Sequence, residues 1–352
     1  MPEPMIENIT IDEFLLLTGV IALVDVRTPA EFAHGHIPGA FNIPLFSNEE
    51  RVLVGTTYKQ IGREQAILLG FDLTGPKWSD FIRQALVIAP DKKIAVHCWR
   101  GGMRSGAMAW ALNLYGFKVY LIEGGYKSYR RWTHRLFAQR RSVRILGGMT
   151  GSGKTKLLHE LRKMGEQVID LEDLARHQGS SYGTMNSMIQ PSQEQFENNL
   201  AEQLKDLNFS RPTWIEDENL NIGRLSIPRT FWEQMKNAAL INLEIALDQR
   251  VRELVVDYGE LDKDFLVACT ERIRKRLGPL QTTQAVAAIR ENRMADFIRL
   301  VLVYYDKTYR SSLQKRDVNR LFTLELAGED KSENAKRILN FASSIAETQQ
   351  EL

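Results

Sequence analysis

Ser142–Thr155 reads SVRILGGMTGSGKT. An apolar run, Ser142–Leu146, leads into Gly148-Met149-Thr150-Gly151-Ser152-Gly153-Lys154-Thr155, and a helix-forming stretch, Lys156–Met164, follows. The pattern is G-x-x-x-x-G-K-[ST] between a strand and a helix, the signature of a phosphate loop. Gly148, Gly151 and Gly153 let successive backbone N–H groups, that of Ser152 among them, turn toward an anion. The next helix presents its positive N-terminal end to the same anion. Lys154 adds a full charge, and the Thr155 hydroxyl can hold Mg2+. The motif specifies a polyphosphate; it specifies neither ATP nor hydrolysis.

Downstream, Gln167–Asp170 (QVID) and Thr213–Glu216 (TWIE) read as buried strands ending in acids. Acids placed there can hold a metal ion or a water. Two clusters qualify, Asp170/Glu172/Asp173 and Glu216/Asp217/Glu218. Asp170, Glu172, Asp173, Glu216 and Asp217 are the candidates; a helix N-terminal acid or a solvated loop is the structural alternative for each. No metal ligand is assigned with certainty. From Phe231 onward the pattern is mostly helical, with amphipathic stretches at 231–257, 261–277 and 283–315.

Upstream, Val20–Val26 (VIALVDV), Lys93–Cys98 (KIAVHC) and Lys118–Ile122 (KVYLI) read as strands, with a helix over Ser105–Tyr115. Strand, helix, strand with short glycine connections implies βαβ units and a parallel sheet. Asn48–Gly70 breaks that rhythm and reads as a helical insertion over one face. Tyr126–Gln139 reads as one helix with Tyr129, Trp132 and Leu136 turned inward. The organisation expected is a domain over 1–125, a basic linker helix over 126–140 and a phosphate-loop domain over 141–352 with a helical C-terminal region.

The 352 residues suit about two domains at ~150 residues each. With 43% hydrophobic and 26% charged residues, collagen, coiled coil and disorder are excluded as descriptions. No apolar run nears the ~18 residues of a membrane span, and the N-terminus lacks a signal-peptide pattern, so the expectation is a cytoplasmic protein without a membrane partner. The net charge of +2 hides segregation. Gly124–Arg144 holds seven basic residues and no acid; Arg272–Arg320 holds twelve basic residues and four acids. Lys127, Arg130, Arg131 and Arg135 on the first stretch, and Arg272, Arg274, Lys275 and Arg276 on the second, are candidates for a nucleic-acid surface. A solvated helix face is the alternative for any one of them.

Two cysteines cannot make a disulfide framework. Cys269, in LVACTERI, reads as core. Cys98 opens the loop Cys98-Trp99-Arg100-Gly101-Gly102-Met103-Arg104-Ser105 between a strand and a helix. A helix N-terminus and two nearby arginines favour its thiolate. This loop resembles that of the rhodanese family, as do Asp25-Val26-Arg27, Glu31-Phe32, Gly35-His36-Ile37-Pro38-Gly39-Ala40, Asn42-Ile43-Pro44 and Glu123-Gly124-Gly125. The resemblance covers about residues 5–126. It implies a loop cysteine that carries sulfur or selenium, cradled by backbone N–H groups. The Cys98-x5-Arg104-Ser105 spacing is also that of cysteine phosphatases, so the loop can hold an oxyanion through Arg100, Gly101, Gly102, Arg104 and Ser105.

The fold class expected is therefore α/β: an N-terminal rhodanese-like parallel-sheet domain, then a P-loop NTPase-like α/β domain. That fusion resembles the tRNA 2-selenouridine synthase family. So do Val54-Gly55-Thr56-Thr57-Tyr58-Lys59-Gln60 with Gly62, Gly124-Gly125-Tyr126-Lys127, Asp170-Leu171-Glu172-Asp173-Leu174-Ala175 with His177, Gly179, Ser180 and Gly183, and Ile215-Glu216-Asp217-Glu218. The resemblance implies a transferase acting on the wobble uridine of tRNA. Selenophosphate and geranyl diphosphate would be co-substrates, 2-thiouridine would become 2-selenouridine through an S-geranyl intermediate, and Mg2+ could assist. On that reading Gly148–Thr155 holds the diphosphate and Cys98 serves selenation. The geranyl chain needs an apolar channel, expected between the late helices, and Trp99 is a candidate stacking platform for the base. Other readings stay open: a P-loop kinase or ATPase, a cysteine phosphatase, or a tRNA-binding adaptor without catalysis.

Overall fold

The apolar runs on either side of the phosphate loop fold into two parallel sheets, each in its own compact unit. A computed structural model describes residues 6–177, 182, 189–327 and 330–350, the last five by backbone alone. Gly179, Ser180 and Gly183 lie outside the described residues. One unit comprises residues up to Phe137 together with Glu197–Glu202; the other comprises Ala138–Phe196 and the residues from Gln203 onward.

In the first unit five strands, β1 (Ile6–Ile9), β2 (Ala22–Asp25), β3 (Phe41–Asn42), β4 (Lys93–His97) and β5 (Lys118–Ile122), form a parallel sheet in the order β1-β5-β4-β2-β3. Central β4 is flanked on both sides, with Val24 opposite Val96 and Ile94 opposite Val119. Those residues are fully buried, as a parallel strand covered on both faces requires. The sheet brings Asp25, His97 and the Cys98 loop together at its carboxyl edge, where open α/β sheets place their ligands. The insertion is two helices, Asn48–Gln60 and Arg63–Thr74. Ser47 opens the first with a capping box closed by Glu50. The helix Gly125–Ala138 belongs to this unit and is more than a connector. Its Tyr126 and Tyr129 rings lie in the core with Phe14, Ile37 and Ile122.

In the second unit β6 (Val143–Gly148), β7 (Gln167–Ile169) and β8 (Thr213–Glu216) are followed by a hairpin of β9 (Asn221–Ile222) and β10 (Leu225–Ser226). Then come β11 (Ala239–Glu244) and β12 (Leu321–Glu325). The main sheet is parallel, in the order β12-β11-β6-β8-β7. Here the structure corrects the helical reading of 231–257. ALINLE is a strand buried between β6 and β12, and a continuous apolar run does not distinguish such a strand from a buried helix. The edge strand β12, LFTLE, lies beyond the amphipathic stretches and is only partly buried. The helix Lys154–Lys163 follows the phosphate loop. Helices Leu247–Tyr258, Lys263–Arg272, Pro279–Arg290 and Met294–Leu313 close on a filled core that includes Cys269, Phe297 and Tyr182. No helix among the described residues is long and apolar enough to cross a membrane.

Candidate active site: a thiolate loop and a phosphate loop

Cys98 follows β4 directly, and Gly102 caps the helix Met103–Tyr115. The Cys98 sulfur accepts hydrogen bonds from the Gly102 N–H at 3.3 Å and the Ser105 hydroxyl at 3.2 Å. Burial pushes the thiol up, but the Ser105 hydroxyl and the N–H groups of Gly102, Ser105 and Arg100 outweigh it and hold Cys98 below its ordinary value. The arginine account given by sequence is corrected here. Arg104 turns to Glu31, at 2.7 and 3.3 Å, so backbone and hydroxyl donors stabilise the thiolate instead. The Arg100 side chain is exposed.

The loop is locked from behind by the turn after β5. The Tyr126 N–H donates to the Cys98 carbonyl at 2.8 Å, and the Lys127 N–H to that of Trp99 at 3.0 Å. Gly125 has φ +55°, and a Cβ there would lie 2.3 Å from the Cys98 oxygen and 2.6 Å from the Gly101 nitrogen. Only glycine permits that approach. Beneath the loop, Asp25 and Arg27 form a fully buried ion pair at 2.6 Å. The Arg27 guanidinium stacks 3.9 Å from the Tyr126 ring centre and also donates to the Gly35 carbonyl. The buried His97 ring donates from Nδ1 to the Cys98 carbonyl at 3.2 Å. Burial holds His97 below its ordinary value, so it is neutral at pH 7.

A cavity of about 1250 Å3 opens on this loop. Cys98, Trp99 and Arg100 line it, together with Val54, Ile67 and Phe71 of the inserted helices. The apolar part of this lining comes largely from the inserted helices of the first unit. Trp99 is half-buried, tilted 5.6 Å from Tyr126.

In the phosphate loop, Gly151 and Gly153 have φ +81° and +73°. A Cβ on Gly151 would meet the Arg250 carbonyl at 2.8 Å. The Ser152 hydroxyl is buried and has no hydrogen-bond partner among the described residues. Gly148 donates its N–H to the Tyr309 hydroxyl at 2.7 Å. Lys154 stands 3.5 Å from Glu216, and Thr155 donates to Glu216 at 3.2 Å. Burial pulls Lys154 down, but Glu216, Glu172 and Glu218 outweigh it and hold the ammonium above its ordinary value.

Five acids were candidates, and the structure separates them. Glu172 and Glu216 converge with Glu218, their ligand oxygens within 4.8 Å of one another. Burial and the charge of Glu216 push Glu172 up to about 10; the same two causes push Glu218 up to about 8. Three crowded carboxylates beside a Thr hydroxyl form the oxygen-rich donor set that suits Mg2+. The remaining three acids lie outside this cluster. Asp170 caps the helix Leu171–Ala175 and accepts from His159 at 2.9 Å. Asp173 lies in the first turn of that helix, its N–H on Asp170. Asp217 pairs with Arg316. Glu218 belongs to the second acid cluster of the sequence but not to its five candidates, and Glu31 appears there only within the rhodanese-like resemblance. Tyr309 has no sequence signal at all.

Among the basic candidates, Lys127, Arg131 and Arg135 are exposed, as are Arg272, Arg274, Lys275 and Arg276. Arg130 is not available as assumed: it pairs with Glu197 and donates to Asn198 within the first unit. Arg135 pairs with Asp12 at the surface, Arg274 with Glu271, and Arg272 donates to the Cys269 sulfur.

A sheet-edge thiolate held by N–H donors, and a strand-loop-helix phosphate site with three acids, define a rhodanese-fold domain joined to a P-loop domain. The model described as the tRNA 2-selenouridine synthase AAA domain matches residues 141–331, and that of the rhodanese-like domain residues 11–131. The chain is 35% identical to the tRNA 2-selenouridine synthase of Nitrosomonas europaea, over 85% of this chain and 91% of that one. It is likewise 35% identical to that of Shewanella frigidimarina, over 85% and 90%. The chain belongs to the tRNA 2-selenouridine synthase family.

Proposed function

We propose that this protein is a transferase that converts 2-thiouridine at the wobble position of tRNA to 2-selenouridine. Selenium would come from selenophosphate, through an S-geranyl intermediate made from geranyl diphosphate. The observation that carries the reading is one chain holding both an activated thiolate in an anion-cradling loop and a phosphate loop with a buried lysine.

A thiocarbonyl sulfur leaves poorly, and alkylation makes it a good leaving group. In the first step the 2-thio sulfur attacks C1 of geranyl diphosphate. The S–C bond forms, the C–O bond breaks, diphosphate departs and the uridine N3 proton goes to solvent. The Lys154 ammonium and the loop N–H groups other than those of Gly148 and Ser152, which bond Tyr309 and Met149, stabilise the departing charge. Thr155, Glu172, Glu216 and Glu218 would hold Mg2+, which neutralises diphosphate charge when bound. In the second step selenium of selenophosphate attacks C2. The C2–Se bond forms, the C2–S bond breaks, and geranylthiolate leaves to be protonated. Water then cleaves the Se–P bond, releasing phosphate and the selenouridine; no electrons change hands overall. Cys98 belongs to this step, with Arg100 and the loop N–H groups facing the oxyanion. The exposed basic residues, Lys127, Arg131 and Arg135 with Arg272, Arg274, Lys275 and Arg276, would track tRNA phosphates, and binding would weaken with salt.

Mass spectrometry of the wobble nucleoside tests this, after incubation with 2-thiouridine tRNA and both co-substrates. Wild type should give 2-selenouridine, Cys98→Ala should stop at the S-geranyl base, and Lys154→Ala should leave 2-thiouridine. An unchanged nucleoside with wild type would overturn the reading.

A further inference from the structure

Helix Asn48–Gln60 buries none of its residues, although it carries Val52, Leu53, Val54 and Tyr58. Val52 is 67% exposed, and Phe71 on the next helix 58%. Both line the cavity above Cys98, as do Val54 and Ile67. Apolar side chains grouped around an open space mark a ligand site more often than a solvated surface. The cavity, about 1250 Å3, exceeds the roughly 300–1,000 Å3 that takes a drug-sized molecule. A sulfur or selenium atom carried on Cys98 would need a small part of it. The polar lining is mainly cationic. Arg51, Lys59 and Arg100 border the space, and none of them has an ion-pair partner among the described residues. Apolar walls, unpaired cations and a thiolate in one space fit a hydrocarbon chain on a sulfur atom, carried by an anionic body.

We propose that this cavity binds the S-prenyl chain of the modified wobble nucleotide, placing its thioether carbon-sulfur group beside Cys98 while Arg51, Lys59 and Arg100 face the adjoining phosphates. The proposal rests on the two-step reading above and assigns its hydrocarbon to the first unit. Geranyl diphosphate shares the chemistry of a prenyl chain beside phosphate. The nucleotide is the occupant chosen because an allylic diphosphate held against a thiolate would alkylate it.

The test uses the full-length protein. Trp78 and Trp99 line the cavity, so bound ligand should change tryptophan fluorescence. The probes are the 5′-phosphorylated nucleotides of S-methyl-, S-dimethylallyl- and S-geranyl-2-thiouridine, and geranyl diphosphate. Each further carbon buried should tighten binding about fourfold, so the geranyl nucleotide should bind more than a hundredfold tighter than the S-methyl one. Phe71→Asp should remove most of that difference; because Phe71 is largely exposed, its urea midpoint should stay near wild type. With S-geranyl tRNA supplied, Phe71→Asp should raise KM for selenation far more than it lowers kcat. If Phe71→Asp proves unstable, Ile67→Asn provides the same comparison. Equal affinity for the S-methyl and S-geranyl nucleotides would overturn the proposal. So would geranyl diphosphate alkylating Cys98 in Lys154→Ala, where the phosphate loop is disabled. Chain-length-dependent binding in a protein that makes no selenouridine would uphold the site and sink the two-step reading instead.

Discussion

The Ser105 hydroxyl donates to the Cys98 sulfur at 3.2 Å, while Arg104, its neighbour in sequence, turns to Glu31. The thiolate is therefore held by dipoles fixed in the loop and not by a neighbouring cation. A hydrogen bond to a charged group contributes about 1.5–3 kcal/mol, or roughly 1–2 pH units. Ser105→Ala should move the midpoint of Cys98 alkylation by iodoacetamide upward by that amount. Arg104→Ala should move it by a few tenths at most. Equal shifts in the two variants would return the arginine to the role that sequence suggested.

The two glycines beside this sulfur differ in what they do. Gly125 is at φ +55° with no room for a Cβ, whereas Gly102 has nothing within 4 Å of that position and a negative φ. Gly125→Ala should destabilise the first unit by at least about 1–3 kcal/mol, the backbone cost alone, and displace the Cys98 loop. Gly102→Ala keeps its N–H and should change the urea midpoint and the alkylation profile little. A stable, normally reactive Gly125→Ala protein would show that the turn after β5 does not fix the loop.

Both loops were legible because their chemistry is written contiguously. A phosphate loop needs Gly148–Thr155 in one stretch, and the thiolate loop needs Cys98 followed at once by a helix start. What sequence left unread depends on residues distant in the chain. The Tyr309 hydroxyl reaches Gly148 across 161 positions, and Glu31 reaches Arg104 across 73. Ala239–Glu244 reads as helix in the sequence because its pairing with β6 and β12, not its own periodicity, decides its form. The cavity has no sequence signature, since the stretch 48–70 reads as a polar helical insertion with scattered charge and its two helices enclose the space only in three dimensions.

The acid trio makes a prediction about metal. Glu172, Glu216 and Glu218 crowd one another around Lys154, and a divalent cation would relieve that repulsion. Mg2+ at a hundred times its dissociation constant should stabilise the second unit by about 2.7 kcal/mol. Glu218→Gln should lose most of this increment, while Asp217→Asn, whose carboxylate serves Arg316, should keep it. Thermal unfolding with and without Mg2+ reads the difference. An increment that survives in Glu218→Gln would place the ion elsewhere.

The buried group Asp25, Arg27 and His97 sets how the first unit responds to acid. Burial holds His97 below its ordinary value of 6.5, so the unfolded chain takes up that proton first. Stability contributed by neutral His97 is present above 6.5 and falls as pH drops below it, by up to about 1.4 kcal/mol for each pH unit. Asp25 acts later. Burial pushes its carboxyl up, but His97 and Arg27 outweigh burial and hold it below its ordinary value of 3.8. Its contribution is present above 3.8 and is lost as pH falls further. Acid unfolding should therefore show two stages, a shallow decline starting near 6.5 and a steeper one under 4. His97→Gln should flatten the first stage and weaken the second, because His97 also holds Asp25 down. Removing the cation with Arg27→Ala leaves a buried carboxylate alone and should cost about 3–5 kcal/mol at pH 7. Urea unfolding at pH 7.5, 5.5 and 3.5 distinguishes these outcomes. A first-stage slope unchanged in His97→Gln would mean that some other group drives the early decline.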